Sequence, residues 1–177
     1  MGSAETDDRA PHTGPEAGVR HGLWLLGAVA ALVVAADQLT KWWAVSRLDD
    51  GRTIDLLGSL RFNLVYNRGS AFSIGSSLGP WIGLAAVAAI VALAVAGHRA
   101  PSTRIAAVLG MVLGGAVGNL SDRLFRDGDG LLDGRVVDFI DLQWWPVFNV
   151  ADMGIVVGGV LLLAFSTRAE RSARSGD

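Results

Sequence analysis

The sequence predicts a membrane protein that is mainly α: a four-transmembrane-helix bundle with a small β insert between helices one and two. Three observations lead there. The 177 residues are 51% hydrophobic with a mean hydropathy of +0.40, too apolar for an ordinary soluble domain. The apolar residues come in uncharged runs, 22–36, 69–97, 105–121 and 153–167, and a spanning helix needs about 20 such residues. These runs of Ala, Leu, Val and Gly do not alternate as barrel strands do, and lipid offers an unpaired backbone no partners.

Each element follows in order. Residues 1–20 are polar and rich in Pro and Gly, which predicts a disordered tail. Helix one covers about 22–43 and ends in DQLTK, with Asp37 and Lys41 one turn apart. A β insert spans about 52–75. In it LRFNLVY alternates as a half-buried strand does, and TIDLLG offers a partner strand. Helix two covers about 78–97, and HRAPSTR makes a tight basic turn. Helix three covers about 105–121 and sets Gly110, Gly114 and Gly118 on one face, a surface for close helix packing. Residues 123–147 read as a second polar loop with RDGDG as its turn. Helix four covers about 147–167, before a basic tail at 169–177. A single integral-membrane domain, 21–168, results.

Composition narrows the function. A net charge of -2 leaves no basic surface for nucleic acid, and zero cysteines remove disulfides, thiol nucleophiles and thiolate metal sites. The first apolar run follows a polar tail with four acids, and no small-residue cleavage site follows it, so it reads as a retained helix. Lysine and arginine divide almost evenly between the two sides. Their density in the HRAPSTR turn and the C-terminal tail favours both termini on the cytoplasmic side.

Four antiparallel helices bring the ends of helices one and three to one face, with the starts of two and four. That face collects Asp37, Lys41, Asn67, Arg68, Asn119, Asp122, Arg123, Asp138, Asn149 and Asp152. Asp37 and Lys41 suit an i,i+4 ion pair. Asp122 and Arg123 suit a packing brace. Asp152 stands between FNVA and GIVVGG, where a lone acid calls for a partner or a proton. Asp138 in VVDF is the nearest partner, and Asp141 and Asp122 are its rivals. Two carboxylates held close share one proton, which supplies a general base and a general acid. A structural pairing of the acids is the plainer alternative. The three histidines, His12, His21 and His98, lie on the opposite side. A Ser-His-Asp triad or a histidine-held zinc therefore lacks its imidazole.

The motifs DQLTK, NRGSAF, GGAVGNLSDR, VVDF and FNVAD, in this order between four apolar runs, resemble signal peptidase II, the bacterial prolipoprotein signal peptidase. The resemblance covers 37 to about 154. It implies an intramembrane aspartic endopeptidase of the bacterial cytoplasmic membrane, with both termini cytoplasmic, the site near the outer leaflet and a small extracytoplasmic β-cradle between helices one and two, which fits residues 52–67. The enzyme would cut diacylglyceryl-modified prolipoproteins just before the lipidated lipobox cysteine. No metal and no cofactor are implied. The expected partners are that substrate, membrane lipids and a globomycin-type inhibitor, with no nucleic acid. Carried over by position, the catalytic pair is Asp138 and Asp152. Asp37, Lys41, Asn67, Gly69, Asn119, Asp122, Arg123, Asn149 and Ala151 support it or bind substrate. Trp42, Trp43, Trp144 and Trp145 sit where an interfacial aromatic belt belongs. A transporter would place acids nearer the midplane and show internal repeats. A purely structural subunit leaves the cost of Asp152 unexplained.

Overall fold

The computed structural model describes residues 15–68, 79–128 and 130–174. Helix α1 (Pro15–Leu48) leads into strands β1 (Ile54–Leu57) and β2 (Leu60–Asn67). Helices α2 (Gly79–His98) and α3 (Thr103–Phe125) follow, then strand β3 (Val136–Asp141) and helix α4 (Val150–Arg174). Among the described residues, four helices are long and apolar enough to cross a membrane, over His21–Leu48, Pro80–His98, Thr103–Phe125 and Val150–Arg168.

Helix α3 is the central one. Half of its span is buried in the protein, against 11% to 22% for the others. Its glycines make this possible. A Cβ on Gly110 would lie 2.6 Å from the Leu26 carbonyl oxygen, and one on Gly114 would lie 2.6 Å from that of Ala30. A Cβ on Gly118 would come within 2.6 Å of Asp37 Oδ2. The Gly110–Gly114–Gly118 face therefore seats α3 against α1. Gly115, turned from that face, meets the Ala151 backbone of α4. Ser102 caps α3, its hydroxyl accepting from the Ile105 N–H at 3.3 Å.

Several boundaries differ from the sequence reading. The structure starts α1 at Pro15, inside the expected tail, and carries it past Trp43 to Leu48. Its last turns stay helical because Ala44 and Leu48 are buried beneath Val137 and Phe139 of the sheet. Helix α4 starts at Val150, since Phe148 is taken up in a bridge to Ile140, and it continues to Arg174 in the expected tail. Trp43 leaves the proposed belt. It stacks edge-on against Phe62 at 5.0 Å and Phe139 at 6.3 Å, in the core under the sheet.

The larger correction is β3. Residues 136–141 are a strand inside the segment read as a loop, and the antiparallel sheet runs β1-β2-β3. VVDFID is buried at every position but Ile140, so it lacks the alternation that marks a half-exposed strand. Its register against β2 matters for function. Arg61 faces Asp141 and Phe62 faces Ile140, but Val65 faces Asp138 and Asn67 faces Val136. Asn63 and Leu64 thus stand against Phe139 alone, a β-bulge. Opposed residues share a face, and neighbours alternate faces. The extra residue shifts the phase of β2. Arg61 shares a face with Asp141, while Asn67 shares the other with Asp138.

Candidate active site

The site is built where the end of α1, the end of α3, the sheet and the start of α4 meet. Lys41 and Asp37, one turn apart on α1, are both fully buried and 2.8 Å apart. Lys41 Nζ also lies 3.0 Å from Asp122 Oδ2 and donates to Asn119 Oδ1 at 2.9 Å. An ammonium has three donors, and these partners account for all of them. Asp37 does more than pair: its Oδ1 accepts from the Ala151 N–H at 2.9 Å, in the first turn of α4. Asp122 accepts from the Val137 N–H at 3.0 Å and from Arg126 at 2.8 Å, fixing β3 to α3.

Asn149 and Asp152 form a reciprocal cap on α4. The Asn149 side-chain oxygen accepts from the Asp152 N–H at 3.0 Å, and Asp152 Oδ2 accepts from the Asn149 N–H at 3.1 Å. The Asn149 amide nitrogen is then free to donate to Asp138 Oδ1, at 2.6 Å. Asn67 Nδ2 donates to the other Asp138 oxygen at 2.9 Å. The bulge in β2 brings Asn67 to that face. Asn119 Nδ2 donates to Asp152 Oδ1 at 2.8 Å. Its orientation is forced: Lys41 can only donate, so Asn119 turns its oxygen to Lys41 and its nitrogen to Asp152.

Asp138 and Asp152 line one cavity of about 440 Å³, with Asn67, Asn119 and Arg123 beside them and apolar side chains of α2, α3 and α4 around. Asp138 is 2% exposed. Burial pushes its carboxyl up to about 6, against hydrogen bonds from Asn67 and Asn149, and the charge of Asp152 pushes the same way. Arg123 is buried in the cavity wall, and its Nη1 has no hydrogen-bond partner among the described residues. The arrangement offers two carboxylates, a guanidinium in the wall and an apolar slot.

The structure gathers Asp37, Lys41, Asn67, Asn119, Asp122, Arg123, Asp138, Asn149, Ala151 and Asp152 at this junction; Gly69 lies outside the described residues. The rivals of Asp138 are engaged elsewhere. Asp122 is held by Lys41 and Arg126. Asp141 sits on the other face of the sheet, 2.8 Å from Arg61. Two contributors went unread. Gln38 donates to Asp37, to the Gly118 carbonyl and to Asp122, at 3.1, 3.1 and 3.3 Å. Arg126 pairs with Asp122 at i,i+4, a spacing visible in the sequence once α3 is extended to Phe125.

Comparison with known proteins bears on this geometry. A family profile for signal peptidase (SPase) II matches residues 29–168. The chain belongs to the signal peptidase II family. Among its curated relatives, the lipoprotein signal peptidase of Rhodococcus jostii (strain RHA1) is 41% identical over 161 residues, 90% of this chain and 81% of that one. The lipoprotein signal peptidase of Bifidobacterium longum (strain DJO10A) is 46% identical over 140 residues, 78% of this chain and 76% of that one. Two solved structures, both described as a bacterial membrane enzyme, share the fold. One aligns with a TM-score of 0.67 at 24% identity over 80% of this chain and 86% of its own. The other aligns at 0.66 and 25% identity over 77% and 88%. As a signal peptidase II family member with four apolar spanning helices, the protein is a multi-pass membrane peptidase.

Proposed function

We propose that this chain removes signal peptides from diacylglyceryl-modified prolipoproteins, cutting before the lipidated cysteine, as an aspartic endopeptidase whose pair is Asp138 and Asp152. One observation carries the residue assignment: both carboxylates open on the same cavity and both accept from Asn149, Asp138 from its side-chain amide and Asp152 from its backbone N–H. The substrate class rests on the family and on the activity named for its curated relatives.

Water sits between the pair. The ionised carboxylate takes its proton as the oxygen attacks the scissile carbonyl carbon. The protonated partner hydrogen-bonds the carbonyl oxygen, and collapse of the tetrahedral intermediate breaks the C–N bond as a proton passes to the leaving amine. Asp138, whose carboxyl burial raises, carries the shared proton. Arg123, in the cavity wall, offers its positive charge to a substrate carbonyl. Lys41, Asp37, Asp122, Asn119 and Ala151 hold the frame, and Gly69 shapes the substrate side. Both termini face the cytoplasm, the sheet and site lie at the outer leaflet of the bacterial cytoplasmic membrane, and a globomycin-type inhibitor occupies the cavity.

The test is a gel-shift cleavage assay in detergent with a diacylglyceryl-modified prolipoprotein. Wild type is compared with Asp138→Asn, Asp152→Asn and Asp122→Asn. Cleavage falls about 100-fold or more in the first two. Cleavage by Asp138→Asn but not by Asp122→Asn moves the pair to Asp122 and Asp152.

A further inference from the structure

Asp152 lines a second cavity, which the mechanism does not use. This one, about 490 Å³, lies between the loop leaving β3 and the outer face of α4. Leu142, Trp144, Trp145 and Phe148 form one wall, and Met153, Val156 and Val157 form the other. Asp152 is its one charged group among the described residues. The same carboxylate therefore stands at the meeting of two cavities of different character. The first carries Asn67, Asn119 and Arg123, donors suited to a peptide backbone. Among the described residues the second is lined by apolar and aromatic side chains apart from Asp152.

We propose that the groove between Leu142–Phe148 and α4 receives an acyl chain of the lipidated cysteine, while the cavity beside α2 receives the signal-peptide side of the scissile bond. The inference rests on the peptidase reading and adds the division of the substrate at Asp152.

The chemistry selects the occupant. A peptide strand in the groove would find few partners for its N–H and C=O groups, since the described walls offer two indole N–H groups and the Asp152 carboxylate, and an apolar environment penalises the rest. An acyl chain has no such groups. Trp144 and Trp145 are 72% and 59% exposed at the start of α4, the level where indole rings sit among headgroups and where a glyceryl ester would lie. From there the apolar stripe continues through Val160 to Leu163, both exposed. Met153 to Leu163 is about 15 Å of helix, the depth of one leaflet of a hydrocarbon core about 30 Å thick. A chain lying along this stripe is anchored beside the bond to be cut. Bulk lipid on the same stripe is not.

Photo-crosslinking tests this. The probe is a prolipoprotein whose diacylglyceryl chains end in a diazirine, bound to the Asp138→Asn protein in detergent and irradiated. A second probe carries the diazirine in the signal peptide, and a free diacylglycerol diazirine reports bulk lipid. The expected result is acyl-probe label in the peptide spanning Leu142–Leu163, enriched several-fold over free lipid, with signal-peptide label on α2. Acyl label on α2, or an acyl pattern equal to that of free lipid, overturns the proposal. Val157→Trp and Val156→Trp, which fill an outward-facing groove, give an independent readout: KM for the diacylglyceryl substrate rises more than kcat falls. An unaltered KM in both overturns the proposal as well. Absence of cleavage by wild type would instead remove the peptidase reading beneath it.

Discussion

Asn149 donates a 2.6 Å hydrogen bond to Asp138, while its side-chain oxygen caps the helix that carries Asp152. One amide thus fixes the spacing of two acids borne on different elements. Capping and positioning are separable. Asn149→Ser keeps a capping oxygen and loses the donor to Asp138. We expect Asn149→Ser to unfold within about 1 kcal/mol of wild type and to cleave about 100-fold more slowly, the scale on which a misplaced group acts. Thermal unfolding and the gel-shift assay check the two halves. A fully active Asn149→Ser would remove the positioning role.

Lys41 is the buried cation of the junction, held between Asp37 and Asp122. Lys41→Met leaves both carboxylates without it and frees Asn119 to turn its amide. Removing one partner from a buried ion pair costs about 3–5 kcal/mol. We expect a loss of that order in thermal unfolding and a loss of cleavage. Wild-type stability in this variant would show the triad to be dispensable.

The helix contact at Gly118 is tight enough to be tested by one methyl group. Gly118→Ala places a Cβ against Asp37 Oδ2, whereas a Cβ at Gly159 meets nothing within 4 Å. Overpacking costs about 1–3 kcal/mol, and alanine in an open helical position gains up to about 1 kcal/mol over glycine. The two variants should therefore shift the melting temperature in opposite directions.

Asp138 also gives a pH signature. Its folded-state carboxyl stands at about 6, above the ordinary value of 3.8. Between those values the folded state holds the proton that the unfolded chain has released, so the contribution of Asp138 is full below about pH 4 and is lost as pH rises through about 6. A shift of roughly two units corresponds to about 3 kcal/mol. Relative to Asp138→Asn, wild type should lose stability by up to that amount between pH 4 and pH 6.5, measured by thermal unfolding across the range. A flat difference would mean that Asp138 keeps an ordinary carboxyl.

The helices and the acids were legible because each leaves a pattern in one dimension. Uncharged runs mark spans, and a polar residue inside such a run stands out, as Asp152 does. Topology alone then brought Asp37, Asn119 and Asp152 to one face. What stayed hidden depends on partners distant in sequence. β3 is buried on both faces and so shows no alternation. The bulge at Asn63 and Leu64 exists only as a mismatch with Phe139. Gln38 lies within a quoted motif, yet its role depends on Asp122, 84 residues away. Asp122 ranks only slightly behind Asp138 in the sequence, and its pairing with Lys41 and Arg126 depends on the fold that brings α1 to α3.

Asp138 lies on a strand that pairs with β2 across 71 residues from Asn67, and Asp152 opens the last helix, whose first turn is capped by Asp37 from the first. With the proposed Asp138–Asp152 pair, no cutting centre exists in a partly synthesised chain. During membrane insertion the protein carries its first three helices with neither the closing strand nor the second acid in place, so proteolytic competence begins only when α4 docks. On that pair, biogenesis itself acts as the safeguard: a chain stalled or truncated before Val150 lacks the second acid.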